Sequence, residues 1–274
     1  MCITLKVQRS SYYKRRKNKV SKTKSENKEI LVMIKEVFKE HKGNYGSPRI
    51  HQELKKKGSK VGVNRVARIM QKESIESIPK KKFKPPTTTD SNHNLPIAEN
   101  ILKQDFSEKE PGKVFISDIT YIELKNSFVY LCAILDLASR KVIGWSLKEN
   151  MKTEILTEAY KRAYKMNKPK DDCLFHSDRG SQYASIEFRN NLLKNNIKQS
   201  MSRKGNCYDN ACMESFFNTL KRELINKNTY SNIQELKNDL FEYIEVYYNN
   251  KRMHSSLGYM TPREYELKYF QQSI

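Results

Sequence analysis

Residues 175–221 read FHSDRGSQYASIEFRNNLLKNNIKQSMSRKGNCYDNACMESFFNTLK and contain two acidic residues at suggestive places. Asp178 follows a short apolar run, and Glu214 lies in the first turn of a predicted helix. Upstream, Asp118 ends another apolar run, VFISD. Hard divalent cations prefer oxygen ligands, and two such cations can hold both the attacking and the leaving oxygen of a phosphodiester. Three carboxylates on separate elements therefore predict a metal-dependent site for phosphodiester chemistry.

Each of these acids also has an ordinary structural explanation. An aspartate after a strand is most often a turn or cap residue, and a glutamate in the first turn of a helix complements the helix dipole. Other carboxylates in the same region look similar: Asp136, Asp171, Asp172 and Asp209. Composition alone does not choose among them.

Helical geometry adds one observation about the predicted helix that begins near Asn210. At about 100° per residue, Glu214, Asn218 and Lys221 fall on one stripe of that helix. The adjacent stripe is apolar and is expected to be core: Met213, Phe216, Phe217, Leu220 and Leu224. A carboxylate followed by a phosphate-binding cation suits DNA cleavage, although a solvated polar face has the same pattern.

The region around these acids predicts a mixed sheet. Four short runs rich in β-branched and aromatic residues predict consecutive antiparallel strands. They are VFISD, TYIEL, FVYLCAILD and KVIGWSL. Helices over 152–166 and 185–195, a strand at CLFHSD and another near Ile197 follow. This order of elements is typical of the ribonuclease H-like fold, an α/β fold with a five-stranded mixed sheet and flanking helices.

A small helical region precedes the sheet. A helix is predicted over 26–40, followed by two short helices, one capped by Ser47 with Pro48 behind it and one capped by Asn64. Two such helices joined by a glycine-containing turn resemble a helix-turn-helix, with Arg65 and Arg68 facing a DNA duplex. A helical packing unit without base contacts explains the pattern equally well.

Composition divides the chain into five predicted segments. They are a basic N-terminal segment and helix, 1–40; the helix-turn-helix-like domain, 41–78; a linker rich in Pro, Lys and Thr, 79–111; the catalytic core, 112–228; and a C-terminal helical appendage, 229–274. In the appendage, Ser231 with Gln234 and Thr261 with Glu264 form predicted capping boxes.

The charge of the chain predicts a polyanionic partner. The 274 residues include 52 Lys and Arg against 31 Asp and Glu, a net charge of +21. Nucleic acid is the obvious candidate, although a ribosomal or merely soluble basic protein has a similar balance. The five cysteines form no CxxC pair, and no signal core or membrane anchor is recognisable, so a cytoplasmic protein with reduced thiols is expected.

Four segments resemble the bacterial insertion-sequence transposases of the DDE integrase-core superfamily, and most closely the second-reading-frame proteins of insertion-sequence family three. They are YGSPRIHQEL with VNRVARIM; SDITYI with VIGW; FHSDRGSQYAS with MSRKGNCYDNACMESFFNTLKRE; and YNNKRMHSSLGYMTPREY. The resemblance runs from about residue 40 to residue 266. It implies a transposase that cleaves DNA at the ends of its element and transfers the freed strand.

The resemblance also implies roles for single residues. Asp118, Asp178 and Glu214 would form the catalytic triad and bind two Mg²⁺ or Mn²⁺ ions, and Lys221 would contact DNA near the reacting end. Arg179 and Gln182 share a motif with Asp178, as does His176, and would shape the site. Phe115, Ile116 and Ser117 stand where the family usually has a tryptophan before its first aspartate, a change expected to affect packing alone.

Partners follow from the same resemblance. They are the DNA of the element ends and of the target, other copies of the chain on that DNA, and a first-reading-frame protein or fusion. In the family, that first frame supplies a further helix-turn-helix with a leucine zipper through ribosomal frameshifting. Two rival functions stay open: a DNA-binding regulatory fragment without activity of its own, and a ribonuclease H-like nuclease acting on hybrids or junctions.

Overall fold

The computed structural model describes residues 4, 8–16, 22–77, 94–108, 110–204 and 206–272. Contacts divide the chain into two compact units, Met1–Pro79 and Lys80–Ile274. The predicted C-terminal appendage belongs to the second unit, and residues 79–93 of the predicted linker lie outside the described residues. The finer segment boundaries stay predictions.

The first unit is helical. Its helices are α1 (Arg9–Arg16), α2 (Lys22–Glu40), α3 (Ser47–Lys56) and α4 (Val63–Lys72). The last three bury a common apolar set because their apolar residues recur at helical spacing: Ile34, Val37, Ile50, Leu54 and Val66. The chain leaves α3 through Gly58, whose φ of +84° favours glycine. The two short helices joined by a glycine turn are thus confirmed.

The predicted caps of these two helices are wrong by one or two residues. Helix α3 begins at Ser47, so its N-cap is Gly46, whose carbonyl accepts a hydrogen bond from the amide of Ile50. Helix α4 begins at Val63, and its N-cap is Gly62. Asn64 therefore lies inside the first turn, where its side chain is exposed.

The second unit is built on a five-stranded sheet of order β3-β2-β1-β4-β5. The strands are β1 (Val114–Glu123), β2 (Phe128–Asp136), β3 (Val142–Lys148), β4 (Leu174–Ser177) and β5 (Lys198–Met201). The first three pair antiparallel, whereas β4 runs parallel to both β1 and β5. This mixed sheet confirms the predicted ribonuclease H-like arrangement.

The first two predicted strands are a single strand. VFISD and TYIEL form one continuous ladder with β2, from Phe115 opposite Asp136 to Glu123 opposite Phe128. Ile119 and Thr120 keep extended pairing through the middle because both suit a half-buried pleated surface. Asp118 therefore lies inside a strand, and the prediction that it ends one is wrong.

Helices cover both faces of the sheet. One face packs on α5 (Thr153–Met166), α6 (Ser181–Ala184) and α7 (Ile186–Lys194), of which α6 was not predicted. Gly144 of β3 permits the close approach of α5, since a Cβ at this position would lie 2.3 Å from the carbonyl oxygen of Ala159. Ser185 caps α7 by accepting from the amide of Phe188, as predicted.

The other face packs on α8 (Ala211–Glu223), on α9 (Ile233–Phe241) and on a π-helical stretch (Glu242–Tyr248). The last helix, α10 (Pro262–Gln272), is linked to the β2–β3 turn by an ion pair of 2.7 Å between Glu266 and Lys141. The predicted Thr261–Glu264 box is confirmed by two reciprocal hydrogen bonds of 2.7 and 3.1 Å. The Ser231–Gln234 box is wrong, because Asn232 caps α9 by accepting from the amide of Glu235.

Candidate active site

Three acidic residues are brought together where β1 and β4 diverge. The parallel pairing of these strands ends at Ile116 opposite His176. Asp118 and Asp178 each lie two residues beyond that last pair, Asp118 within β1 and Asp178 just past the end of β4, so the parallel register places them side by side. Glu214 comes from the first turn of α8, which packs on the face that β1 presents to it.

The acids are close enough to affect one another electrostatically. Burial raises the pKa of Asp118 well above its usual value, and the carboxylate of Asp178 raises it further. Glu214 adds a smaller effect in the same direction, while Lys221 opposes it. Partial burial also raises the pKa of Glu214. Concentrated negative charge of this kind is a site that attracts cations.

Helix α8 presents its polar stripe as predicted. Met213, Phe216 and Leu220 are buried, whereas Glu214 and Asn218 are exposed. Lys221 is half-buried, and burial lowers the pKa of its ammonium group while Asp118 opposes that change. The ammonium nitrogen lies 4.9 Å from the ring centroid of Tyr121, a cation–π contact that orients it. Tyr121 was not predicted as a site residue, although it lies in the quoted motif SDITYI.

The motif around Asp178 is tied to neighbouring segments by its own side chains. The Arg179 guanidinium donates to the carbonyl oxygen of Ser202 at 2.6 Å, and the Gln182 amide donates to that of Met151 at 2.7 Å. The Asp178 carboxylate accepts from the amide of Gly180 at 3.0 Å. These contacts fix the turn that carries Asp178.

His176 supports the site from beneath. Its ring nitrogens lie 2.9 Å from the hydroxyl of Ser200 and 3.3 Å from that of Ser202. Burial lowers the pKa of His176 to about 4, so the ring is neutral near pH 7. The neutral, buried imidazole thus joins β4 to β5 and anchors the end of β4. This is a structural role, in contrast to the predicted role of shaping the site.

The carboxylates do not yet form a compact metal cage. Asp118 accepts from the amide of Ile119 at 2.8 Å, just as Asp178 accepts from that of Gly180. Across the described parts of the chain, no three His, Cys, Asp or Glu side chains form a group that could hold a metal ion. The three acids are close enough to interact electrostatically, but their side chains do not converge on a common coordination point.

Comparison with known proteins identifies the family. Residues 108–207 and 195–262 each match an integrase core domain, and residues 24–83 match an HTH-like domain. An uncharacterized 31 kDa protein of insertion element IS600 from Shigella sonnei is 37% identical over 99% of this chain and 99% of its own length. Transposase InsF of IS3A from Escherichia coli (strain K12) is 35% identical over 98% of this chain and 93% of its own length. The chain belongs to the insertion-sequence transposases.

The chain is also similar to solved structures. The HTLV-2 integrase catalytic core domain in complex with magnesium is 20% identical, with a TM-score of 0.44. The match covers 56% of this transposase and 94% of that chain.

The HTH-like unit of the transposase places its two predicted DNA contacts differently. Arg68 is exposed on α4. Arg65 is held by helix α2, because its guanidinium donates to Asn27 at 2.8 Å and to Glu26 at 2.9 Å. No helix in the described residues of the transposase is long and apolar enough to cross a membrane.

Three buried polar residues beside the acids were not predicted as part of the site. Ser117, Tyr183 and Asn210 are at most 6% exposed. All three lie in motifs that carry the family resemblance, yet their mutual contacts join positions far apart in the sequence. No local pattern in the sequence indicates such contacts.

Proposed function

We propose that the transposase cleaves DNA at the 3′ ends of its insertion sequence and transfers the freed strand, with Asp118, Asp178 and Glu214 as its catalytic triad. One observation carries this proposal: the three carboxylates lie in a common electrostatic field at the divergence of two parallel strands. Elsewhere in the catalytic unit, buried carboxylates such as Asp136 and Glu223 are hydrogen-bonded into the protein.

In donor chemistry, the three carboxylates suit two divalent cations, Mg²⁺ or Mn²⁺, which would have to draw them closer together than they lie in this structure. Carboxylate oxygens are the ligands these hard cations prefer. The side-chain oxygen of Asn210 adds support, since it is buried, one turn before Glu214, and has no hydrogen-bond partner among the described residues. Water molecules carried by a hydrated cation are suitable donors for such an oxygen. Binding would draw together carboxylates that repel one another in its absence.

The roles of the chain's own residues follow from this arrangement. Asp118, Asp178 and Glu214 must be ionised to bind cations. The raised pKa values of Asp118 and Glu214 therefore make protons compete with the metal, and metal binding should release those protons. The chemistry that two bound ions supply is activation of water or a 3′-hydroxyl, together with stabilisation of the leaving oxygen. The role of the acids would be to hold those ions, and no covalent intermediate with the protein is needed.

Lys221 and Asn218 extend the site along α8 toward DNA. Lys221 is oriented by Tyr121 and lies in the field of Asp118, which suits a cation that neutralises a phosphate near the reacting bond. Asn218 is exposed on the same stripe and can donate to a phosphate or sugar oxygen. Arg179 and Gln182 fix the Asp178 turn and would contact DNA only through their remaining donors.

In the HTH-like unit, we assign the DNA contact to Arg68, because its side chain is exposed on α4. Arg65 already has two partners on α2, so its internal role is to fix the orientation of α4. Its own contact with DNA stays a prediction. Replacing Arg68 with Gln should weaken DNA binding and lower the slope of log affinity against log salt by about 1.

The catalytic proposal is tested with purified protein, labelled element-end DNA and Mg²⁺. The protein is assayed alone and fused to the first-reading-frame protein, because that protein is the proposed partner. We expect nicked or joined ends that are lost in the Asp178→Asn variant. The matched control is Asp172→Asn, since Asp172 is an exposed aspartate just before β4 that pairs with Lys198 at 2.8 Å.

Other results of this assay would support the rival functions. Tight DNA binding without cleavage, in either form and with either metal, would indicate a regulatory fragment. Preferential cutting of RNA–DNA hybrids would indicate a nuclease. We also propose that several copies assemble on DNA, which light scattering on the complex measures. We further propose that the protein is located in the cytoplasm, which cell fractionation tests.

A further inference from the structure

Ser117 is a junction between the segments that carry the three acids. It directly precedes Asp118 in β1 and is fully buried. Its hydroxyl lies 2.9 Å from the hydroxyl of Tyr183, and its carbonyl oxygen accepts from the side-chain amide of Asn210 at 3.1 Å. Two residues far apart in the sequence thus converge on one residue of the strand.

The direction of the Tyr183 bond can be deduced. The Ser117 hydroxyl donates to the carbonyl oxygen of Ala133 at 3.0 Å. A serine hydroxyl has a single proton, so the hydrogen bond to Tyr183 must be donated by the tyrosine. Ala133 is the residue of β2 paired with Asp118, so this chain of bonds fixes β1 at the level of its acid.

Tyr183 connects this junction to Asp178. It lies on α6, immediately after the turn that Asp178 begins, and its amide donates to the carbonyl oxygen of Gly180 at 3.0 Å. The amide of Gly180 in turn donates to the Asp178 carboxylate. Three hydrogen bonds and the Tyr183 ring therefore connect Asp178 to Ser117.

Asn210 connects the junction to Glu214. It is the N-cap residue of α8, one turn before Glu214. Its amide nitrogen is committed to Ser117, which directs the side-chain oxygen away from that carbonyl. Any movement of α8 along β1 would break this bond inside the protein, where an unmade hydrogen bond is costly.

We propose that Ser117, Tyr183 and Asn210 are positioning residues that set the separation of Asp118, Asp178 and Glu214 before metal binds. This inference rests on the proposed function of the three acids. Carboxylates that repel one another need a rigid frame, and these bonds tie all three carrying segments to one buried residue. None of the three side chains is placed to do chemistry itself.

The test is Mn²⁺ binding to the full chain without DNA, measured by the paramagnetic resonance signal of free Mn²⁺. Tyr183→Phe removes only the hydroxyl that Ser117 accepts from. Tyr160→Phe is the matched control, because Tyr160 is also buried in the same core and its hydroxyl accepts from Asn195 at 2.8 Å, away from the acids. Asp178→Asn tests the proposed ligand set in parallel.

We expect Tyr183→Phe to weaken Mn²⁺ binding by about 10- to 100-fold, the range typical of groups that orient metal ligands. Tyr160→Phe should bind Mn²⁺ like the wild type, whatever its effect on thermal stability. Ser117→Ala should weaken binding at least as much, because it also removes the bond to Ala133. The double variant should lose no more than Ser117→Ala alone, because both changes remove the same Ser117–Tyr183 bond.

Contrary results are distinguishable. Wild-type Mn²⁺ binding by Tyr183→Phe, or equal weakening by Tyr183→Phe and Tyr160→Phe, overturns the positioning role while leaving the triad intact. Unchanged binding by Asp178→Asn instead overturns the proposed function on which this inference rests.

Discussion

A buried ion pair fastens the C-terminal segment to the helix that carries Glu214. Arg252 and Glu223 are 3% and 4% exposed. The guanidinium makes two parallel hydrogen bonds of 2.8 Å to the two carboxylate oxygens, and the hydroxyl of Tyr243 donates to the same carboxylate at 2.9 Å. Burial opposes the charge on Arg252, but the Glu223 carboxylate outweighs it and the pKa of Arg252 lies above its usual value.

Replacing Arg252 with Met should strongly destabilise the catalytic unit. The change keeps most of the side-chain volume but leaves the Glu223 carboxylate buried without its main partner, which costs about 3–5 kcal/mol. Arg222 remains 3.2 Å from the same carboxylate, so the lower end of that range is expected. For a unit of this size, each kcal/mol lowers Tm by about 2–4 °C, so Tm should fall by roughly 6–12 °C.

The control is an ion pair of similar length at the surface. The Lys148 and Glu158 side chains are 42% and 35% exposed, with 2.7 Å between nitrogen and oxygen. Lys148→Met should cost no more than about 1 kcal/mol, because solvent screens exposed pairs. The double variant Glu223→Leu with Arg252→Met should regain much of the loss, since an apolar pair of similar volume can replace a buried ion pair.

Unfolding is followed by the fluorescence of Trp145, the single tryptophan of the chain, which reports on the catalytic unit because it lies in β3. Urea titration and heating should rank the variants in the same order. If Arg252→Met and Lys148→Met lose equal stability, burial does not determine how much the Arg252–Glu223 pair contributes to the free energy of unfolding, and the expectation is refuted.

Three further substitutions test the packing and electrostatics of the catalytic unit. Gly144→Ala should cost at least about 1–3 kcal/mol by the Trp145 assay, because the new Cβ would lie 2.3 Å from a carbonyl oxygen of α5; wild-type stability would contradict the close packing. Gly180→Ala should spare stability but reduce DNA cleavage by about 10- to 100-fold, since its Cβ would lie 3.2 Å from an Asp178 carboxylate oxygen; unchanged cleavage would show that this turn tolerates displacement. Asp118→Asn should abolish cleavage yet raise Tm at pH 7. The pKa of Asp118 is higher in the folded state than in the unfolded state. Ionisation of this carboxyl therefore destabilises the fold once the pH exceeds the pKa of the unfolded state. A lower Tm for Asp118→Asn at pH 7, or an equal gain at pH 3, would contradict that sign.

The sequence predicts elements whose side chains follow a simple period. The polar and apolar stripes of α8 are confirmed because a 3.6-residue period separates Glu214 and Asn218 from Phe216 and Leu220. Strand β1 was divided wrongly because Asp118 interrupts its apolar pattern, and an acid inside a strand looks like the residue that ends it. Only the pairing with β2 shows that the strand continues.

Tertiary contacts explain what the sequence could not provide. The equivalence of Asp118 and Asp178 depends on the parallel register that joins Ile116 to His176, and no local signal encodes such a register. The bond between Ser117 and Tyr183 likewise joins residues whose side chains, taken singly, are an ordinary serine and an ordinary tyrosine. Polar residues that organise a site from within are therefore the last to be found by sequence reasoning.

The C-terminal segment, residues 229–274, contributes to the core of the catalytic unit. Tyr248 of the π-helical stretch lies 5.1 Å from Phe216 of α8, ring centroid to ring centroid, within the core cluster that also contains Trp145 of the sheet. Arg252, which follows the π-helical stretch, forms an ion pair of 2.8 Å with Glu223 of α8. A chain cut after residue 228 would uncover the apolar face of α8 and remove Arg252 and Tyr243 from the Glu223 carboxylate. Because α8 also carries Glu214, such a fragment should lose the geometry of the acids together with its stability, and we expect it to lose DNA cleavage.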